Sequence, residues 1–260
     1  MNQLSNDQIR QNVRGRYSQI AVKTVTPASS CCGSPSDADS ISAKLGYSGS
    51  ELAAAPEGAN LGLGCGNPQA IAGLKPGERV LDLGSGGGFD CFLASRQVGD
   101  QGHVIGVDMT PEMISRARNN AVKGNFGNTE FRLGEIEHLP LADHSVNVIM
   151  SNCVINLSPD KPQVFREAFR VLEPGGRLAI SDIVTTAELP PEIRNDLGEL
   201  YSGCISGASS ISELETILKE SGFTEISIEP KDESKAFIKD WIPGESIDQY
   251  IVSAVIQAKK

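Results

Sequence analysis

Val80-Leu81-Asp82-Leu83-Gly84-Ser85-Gly86-Gly87-Gly88-Phe89-Asp90 is the stretch that decides how this chain is read. A short apolar run ends in an acid-bearing strand, passes into a G-x-G-x-G loop and continues into helical sequence over residues 91–98. Glycines at such a junction let the backbone turn sharply and approach a ligand where a Cβ would intrude. A dinucleotide fingerprint would want glycine where Phe89 stands. The acid at Asp82 also suits a ligand carrying an amino group and no phosphate better than a pyrophosphate.

Outward from the loop, strands and helices alternate. Val104-Ile105-Gly106-Val107 is the next strand, ended by Asp108, and Thr110-Pro111-Glu112-Met113 begins a helix with a capping threonine, proline at the first position and an early acid. Residues 131–133, 146–150 and 178–183 read as three more strands, and a helix over 162–172 is closed by Pro174-Gly175-Gly176. This alternation predicts a parallel sheet covered by helices on both faces. Further on, 190–203 and 211–221 read as helices inserted between the fifth and sixth strands. Residues 223–228 and 250–256 then form a closing antiparallel pair. On the amino-terminal side, Ile9, Val13, Tyr17 and Ile20 recur at helical spacing within 7–25. Residues 27–35 are turn formers around Cys31-Cys32 and predict a surface loop. Residues 53–68 are small and glycine-rich, without a core pattern, and are expected to lie on the main domain as a lid or substrate wall. The organisation is therefore 1–75, an amino-terminal helix and cysteine-containing lid; 76–184, a ligand-binding core; and 185–260, a helical insertion with Cys204 and the closing strands.

The chain has 260 residues, 39% hydrophobic and 22% charged, with net charge -10. That acidity argues against nucleic acid or anionic membranes as partners and leaves a small-molecule substrate and a monomer as the expectation. No apolar run approaches the roughly 20 residues that span a bilayer. The first residues lack a basic region and an apolar core, so the expected address is the cytoplasm. In a reducing compartment, six cysteines point to metal, redox or catalytic use rather than a disulfide framework. With no C-x-x-C, a structural zinc site is not expected.

The strand-end residues narrow the ligand. Asp108 is placed to accept both hydroxyls of a ribose, Met109 to pack on an adenine, and Glu135-Ile136-Glu137 to meet the adenine edge, Ile136 through its backbone. With Asp82 they fit S-adenosylmethionine. Over residues 79–183 the chain resembles the class I S-adenosylmethionine-dependent methyltransferases. The resemblance implies an α/β Rossmann-like fold with a mainly parallel seven-stranded sheet, helices on both faces, an amino-terminal extension and a helical insertion. It also implies a cofactor-binding set of Asp82, Gly84, Ser85, Gly86, Gly88, Asp90, Asp108, Met109, Glu135, Ile136, Glu137 and Asn152. Phe89 departs from the basic residue that many relatives carry there.

The fold alone does not choose the acceptor. Methylators of nucleic-acid amines often carry an Asn/Asp-Pro-Pro-aromatic motif after the fourth strand, where this chain has Ser151-Asn152-Cys153-Val154-Ile155-Asn156-Leu157. That element, followed by Pro159-Asp160-Lys161, resembles the arsenite methyltransferases. So do Leu189-Pro190-Pro191-Glu192-Ile193-Arg194, Gly203-Cys204 and Gly64-Cys65-Gly66. The resemblance implies that Cys65, Cys153 and Cys204 hold As(III) as thiolates, which suit a soft, thiophilic centre. It further implies that Cys65 and an amino-terminal cysteine, Cys31 or Cys32 with Cys32 favoured, return oxidised arsenic to the trivalent state. A thiol reductant of the thioredoxin or glutathione type would then reopen the disulfide. Cys91 is expected to be a small core residue, and His103, His138 and His144 ordinary surface or strand-end histidines. Two other readings compete: a quinone-type C-methyltransferase, which leaves the cysteine motifs unexplained, and a metalloid-sequestering protein, which has no need of the cofactor loop.

Overall fold

The structure, a computed structural model, describes residues 4–23, 35–194, 204–241 and 246–260. Its centre is an eight-stranded sheet in the order β3-β2-β1-β4-β5-β8-β7, with β6 beside β5. The strands are β1 Arg79–Leu83, β2 His103–Asp108, β3 Thr129–Leu133, β4 Val146–Asn152, β5 Leu172–Thr185, β6 Ser209–Ser210, β7 Thr224–Lys231 and β8 Ile251–Lys259. β1 to β6 pair in parallel, while β8 runs antiparallel to both β5 and β7. The expected seven strands are present. The eighth, β6, is a two-residue addition that ties the segment after Cys204 to the end of β5.

Alternation along the strands sorts side chains into two layers. Leu81, Leu83, Ile105, Val107 and Ile149 point to one face, where they pack with Val164, Phe165 and Ala168 of α7 (Lys161–Val171) and Leu214 and Leu218 of α9 (Ile211–Glu220). Val80, Val104, Val148 and Met150 point to the other, against Phe92 and Val98 of α5 (Phe89–Val98) and Ile114 and Ala117 of α6 (Pro111–Gly124). Such in-and-out alternation on a sheet buried on both faces is what β-strand periodicity produces. A third apolar cluster sits past the strand ends. It joins Ile9 and Val13 of α1 (Asn6–Lys23) to Cys65, Cys153, Leu157, Ile193, Cys204 and Ile205.

Several local expectations change. Short helices flank the glycine-rich stretch: α2 (Pro35–Lys44) and α3 (Gly49–Ala54), the latter opened by a Ser48–Glu51 capping box, come before it and α4 (Gln69–Ala72) just beyond. Pro35, assigned to a loop, opens a helix, while the rest of that loop, 27–34 with Cys31 and Cys32, lies outside the described residues. Thr110 occupies the cap position of α6 without a side-chain cap hydrogen bond, and its N–H instead donates to Asp108 Oδ1 at 2.8 Å. Pro174-Gly175-Gly176 does not close a helix, because β5 already begins at Leu172. Of the helix expected over 190–203, Pro191–Arg194 (α8) is helical and the remainder lies outside the described residues. No described helix is long and apolar enough to cross a membrane.

β1 has β2 on one side and β4 on the other, so the strand order reverses at β1 and a crevice opens beyond its carboxyl end. Phe92 backs that point: it is fully buried, packs on Phe126 and Phe131, and lies where a Cβ on Gly88 would strike it. Phe92→Ala is expected to destabilise the protein by about 3–5 kcal/mol. Urea unfolding followed by circular dichroism would measure this, and a loss below about 1 kcal/mol would mean the region repacks.

Candidate active site

A cavity of about 1100 Å³, open to solvent, occupies the crevice. Gly84 has φ 71° and lies so close to the next loop that a Cβ would sit 2.4 Å from Val154 Cγ2. Gly86 has φ 50°, and a Cβ there would project into open space within the cavity lining. The Gly86 N–H donates to Asp108 Oδ2 at 3.0 Å, so the acid at the end of β2 clamps the glycine loop. Ser85 Oγ is buried without a hydrogen-bond partner among the described residues. An orphaned hydroxyl beside an open glycine is what a polar ligand pressed against this loop would complete.

Asp82 and Asp90 face the same space and are both buried. Burial, then the charges of Asp90 and Asp108, push Asp82 well above the ordinary carboxylate range. Burial likewise raises Asp90 to about 6, against hydrogen bonds that include one from the Tyr47 hydroxyl at 2.8 Å. Cys91 is fully buried, as expected of a core residue, and its thiol reaches Asp82 Oδ2 at 3.3 Å. Two neighbouring buried carboxylates are most stable beside a bound cation. Met109, Met113 and Ile136 give the cavity an apolar wall. The residues present therefore fit S-adenosylmethionine, which combines an ammonium, ribose hydroxyls and an adenine.

Among the remaining expected cofactor residues, Asn152 and Glu137 line the cavity. Glu137 is already held by Arg10 at 3.0 Å and by Ser158 Oγ at 2.7 Å. Glu135 and Gly88 are absent from the lining: Glu135 pairs with Arg14 at 3.0 Å, and Gly88 faces the Phe92 ring. Phe89 lines the cavity with its ring edge-on to Tyr47, 5.0 Å between centroids.

Among the described residues, Cys153, just past β4, is the cysteine that lines the cavity. Behind it, its Sγ, Cys65 Sγ and a carboxylate oxygen of Asp182 lie within 4.8 Å of one another. Cys204 approaches from the opposite loop, its thiol 2.8 Å from the Cys153 carbonyl. The structure thus gathers three of the expected cysteines in one buried cluster and adds Asp182, while Cys31 and Cys32 lie outside the described residues. Cys153 and Cys204 both adopt left-handed backbone, φ 59° and 65°. A cysteine kept there forgoes the easier glycine or asparagine, which points to a constraint on where its sulfur must be.

All three sulfurs have their pKa raised above the usual thiol value. Burial pushes Cys65 up to about 11. At Cys153 a hydrogen bond from Cys204 favours the thiolate, but donation to Cys65, burial and the nearby charges outweigh it, leaving the pKa well raised. Donation to Cys153 and then burial raise Cys204.

Two residues of the site were not anticipated. Asp182 lies inside β5, which runs on to Thr185. Its Oδ2 accepts from the Ile155 N–H at 2.9 Å and its Oδ1 from Asn156 Nδ2 at 2.8 Å. Tyr47 sits between α2 and α3 in sequence with no periodic pattern, and only its three-dimensional partners, Asp90 and Asn152, reveal it.

The methyltransferase domain family matches residues 74–222. Together with the sheet order and the glycine loop, this defines an S-adenosylmethionine-dependent methyltransferase of class I. The chain is 52% identical over 264 residues to the arsenite methyltransferase of Halobacterium salinarum, covering 98% of this chain and 67% of that protein, and it belongs to the arsenite methyltransferase family. The arsenite methyltransferase of Aquipseudomonas alcaligenes is 42% identical over 222 residues, 83% of this chain and 61% of that one. The crystal structure of the arsenic(III) S-adenosylmethionine methyltransferase of Chlamydomonas reinhardtii superposes with a TM-score of 0.63 at 33% identity, covering 84% of this chain and 72% of that chain. The chain thus spans about two thirds of the length of these two curated relatives.

The raised Asp90 has a thermodynamic signature. Its folded pKa, about 6, lies above the unfolded value, so the folded state binds more protons in that window and stability falls as pH rises through it. At pH 8, Asp90→Asn should therefore stabilise the ligand-free protein by on the order of 3 kcal/mol, an advantage that vanishes below about pH 4. Urea titrations at the two pH values measure the difference. An advantage independent of pH would show that the Asp90 charge is not its source.

Proposed function

We propose that this protein methylates trivalent arsenic, arsenite or its thiol conjugates, held by Cys65, Cys153 and Cys204. The observation that carries the reading is the buried sulfur cluster lying directly behind the cofactor cavity, with Cys153 forming the wall between them. When bound, S-adenosylmethionine supplies an electrophilic methyl group, which the arsenic lone pair can accept without a general base. Asp82 and Asp90 would hold its ammonium, Asp108 its ribose, and Met109 and Ile136 its adenine; Asn152 would frame the site from β4.

Capture of arsenite needs no preformed thiolate. Each thiol forms an As–S bond as its proton leaves with an arsenic-bound hydroxide, so arsenite and three thiols give one trithiolate and three waters. The chain's part is then positioning: three sulfurs fix the arsenic so that its lone pair faces the cavity. Methyl transfer leaves arsenic formally pentavalent. Two protein thiolates return it to the trivalent state by giving up two electrons and joining as a disulfide, a role we assign to Cys65 with Cys31 or Cys32. A thioredoxin or glutathione-type thiol reopens that bridge by exchange.

Incubation with arsenite, S-adenosylmethionine and a thiol reductant, followed by arsenic speciation, tests the reading. Methylated product is expected; tight binding without product would indicate sequestration, and neither would end the arsenic assignment. Cys153→Ser and Cys204→Ser should each lower methylation at least about 100-fold, because two sulfurs leave the lone pair free to swing. Near-full activity in either variant would return that cysteine to a packing role. Cys32→Ser should spare the first turnover and slow later ones.

A further inference from the structure

Pro159-Asp160-Lys161 accompanies the Cys153 element in sequence, yet neither cofactor nor arsenic binding calls for its lysine. Lys161 is the first residue of α7, where the positive end of the helix dipole disfavours a cation. The helix start is already served without it, since Asp160 caps the Gln163 N–H at 3.0 Å. Lys161 is half-buried, and its ammonium donates to the Gly207 carbonyl at 2.6 Å. Gly207 belongs to the turn that follows Cys204, a turn pinned on its other side by Ser206 Oγ to the Ile193 carbonyl at 2.7 Å.

We infer that Lys161 is a positioning residue, a charged tether that fixes the Cys204 loop against the Cys153 loop and so sets the reach of the Cys204 sulfur to arsenic. The inference rests on the arsenic reading above. Two sulfur-bearing loops must meet at one atom, and each is anchored by one charged side chain. Asp182 holds the Cys153 side through the Ile155 N–H and Asn156. Lys161 holds the Cys204 side through a carbonyl. The two anchors have opposite charge and attract each other, and Lys161 also feels Cys204 and Glu213. Once three thiols have given their protons to leaving hydroxide, the arsenic trithiolate is neutral. Asp182 then stays negative, and the charge of Lys161 offsets it in part. A neutral side chain would release the loop and leave the acid uncompensated.

The test compares wild type, Lys161→Met and Lys161→Arg. Alkylation of Cys204 by iodoacetamide, read by peptide mass spectrometry without arsenite, reports how often its loop opens. Lys161→Met should alkylate Cys204 about tenfold faster or more and bind arsenite about tenfold more weakly, the size expected for losing a charged hydrogen bond. Its affinity for S-adenosylhomocysteine should stay within about twofold, because the tether lies on the sulfur side of Cys153; a general folding defect would move both affinities. An unchanged Cys204 rate, or an unchanged arsenite affinity, overturns the inference. Lys161→Arg keeps charge and donor and should match wild type in both readouts; if Lys161→Met does not fold, loss of both in the arginine variant overturns it instead. If wild type binds no arsenite, the arsenic reading fails while the Cys204 rate still decides whether Lys161 restrains the loop.

Discussion

The site depends on the side-chain amide of Asn152 at the end of β4. Its oxygen accepts the Cys65 N–H at 3.0 Å, and its nitrogen donates to the Gly66 carbonyl at 2.8 Å and the Tyr47 hydroxyl at 3.1 Å. One side chain thereby fastens the amino-terminal segment to the sheet at the point where β4 passes into Cys153. Tyr47 continues the connection to Asp90, and Ser253 Oγ closes it from β8 by donating to the Cys65 carbonyl at 2.7 Å. An amide so fully used has no spare group with which to adapt, and losing it would strand several buried partners. Cofactor pocket and sulfur cluster are thus two sides of one hydrogen-bonded seam.

The sheet was legible in the sequence because its order comes from periodicity. Val80, Val104 and Val148 face one layer while Leu81, Ile105 and Ile149 face the other, and such runs bounded by glycine and acids can form little else. Asp82, Gly84, Gly86 and Asp108 were legible for the same reason, since strand ends and sharp turns have local chemistry. The segment before residue 68 was not. Its helices are short, and it is ordered by Tyr47 and Cys65 reaching residues far along the chain, contacts that leave no local pattern. The pairing of Glu135 was hidden through a similar gap: Arg14, on a helix distant in sequence, meets its carboxylate. Asp182 shows the opposite failure: an acid that reads in the sequence as a boundary lies inside β5, and its place in the site emerges with Cys65 and Cys153 beside it.

The amino-terminal helix does more than pack. Ile9 and Val13 bury into the sulfur cluster, while Arg10 and Arg14 pair with Glu137 and Glu135 after β3. The same helix therefore touches the apolar surround of the cysteines and, through Arg10, the Glu137 that lines the cavity. Arg10 and Glu137 are largely shielded from water, where an ion pair is sensitive to the loss of either partner. A helix fixed at both chemistries covers the cavity where the sheet ends.

High thiol pKa values and a thiophilic substrate look contradictory but are complementary. Thiolate is the reactive form towards oxidants and electrophiles. A cluster that burial holds as thiols is inert at rest, as the raised values for Cys65, Cys153 and Cys204 imply. A hard aquated cation brings no base and would have to draw three protons out of a buried site. Trivalent arsenic carries hydroxides that accept those protons one for one, so on the proposed reading its capture develops no net charge in the cluster. On that reading, selectivity arises from the protonation state of the site as much as from sulfur's softness.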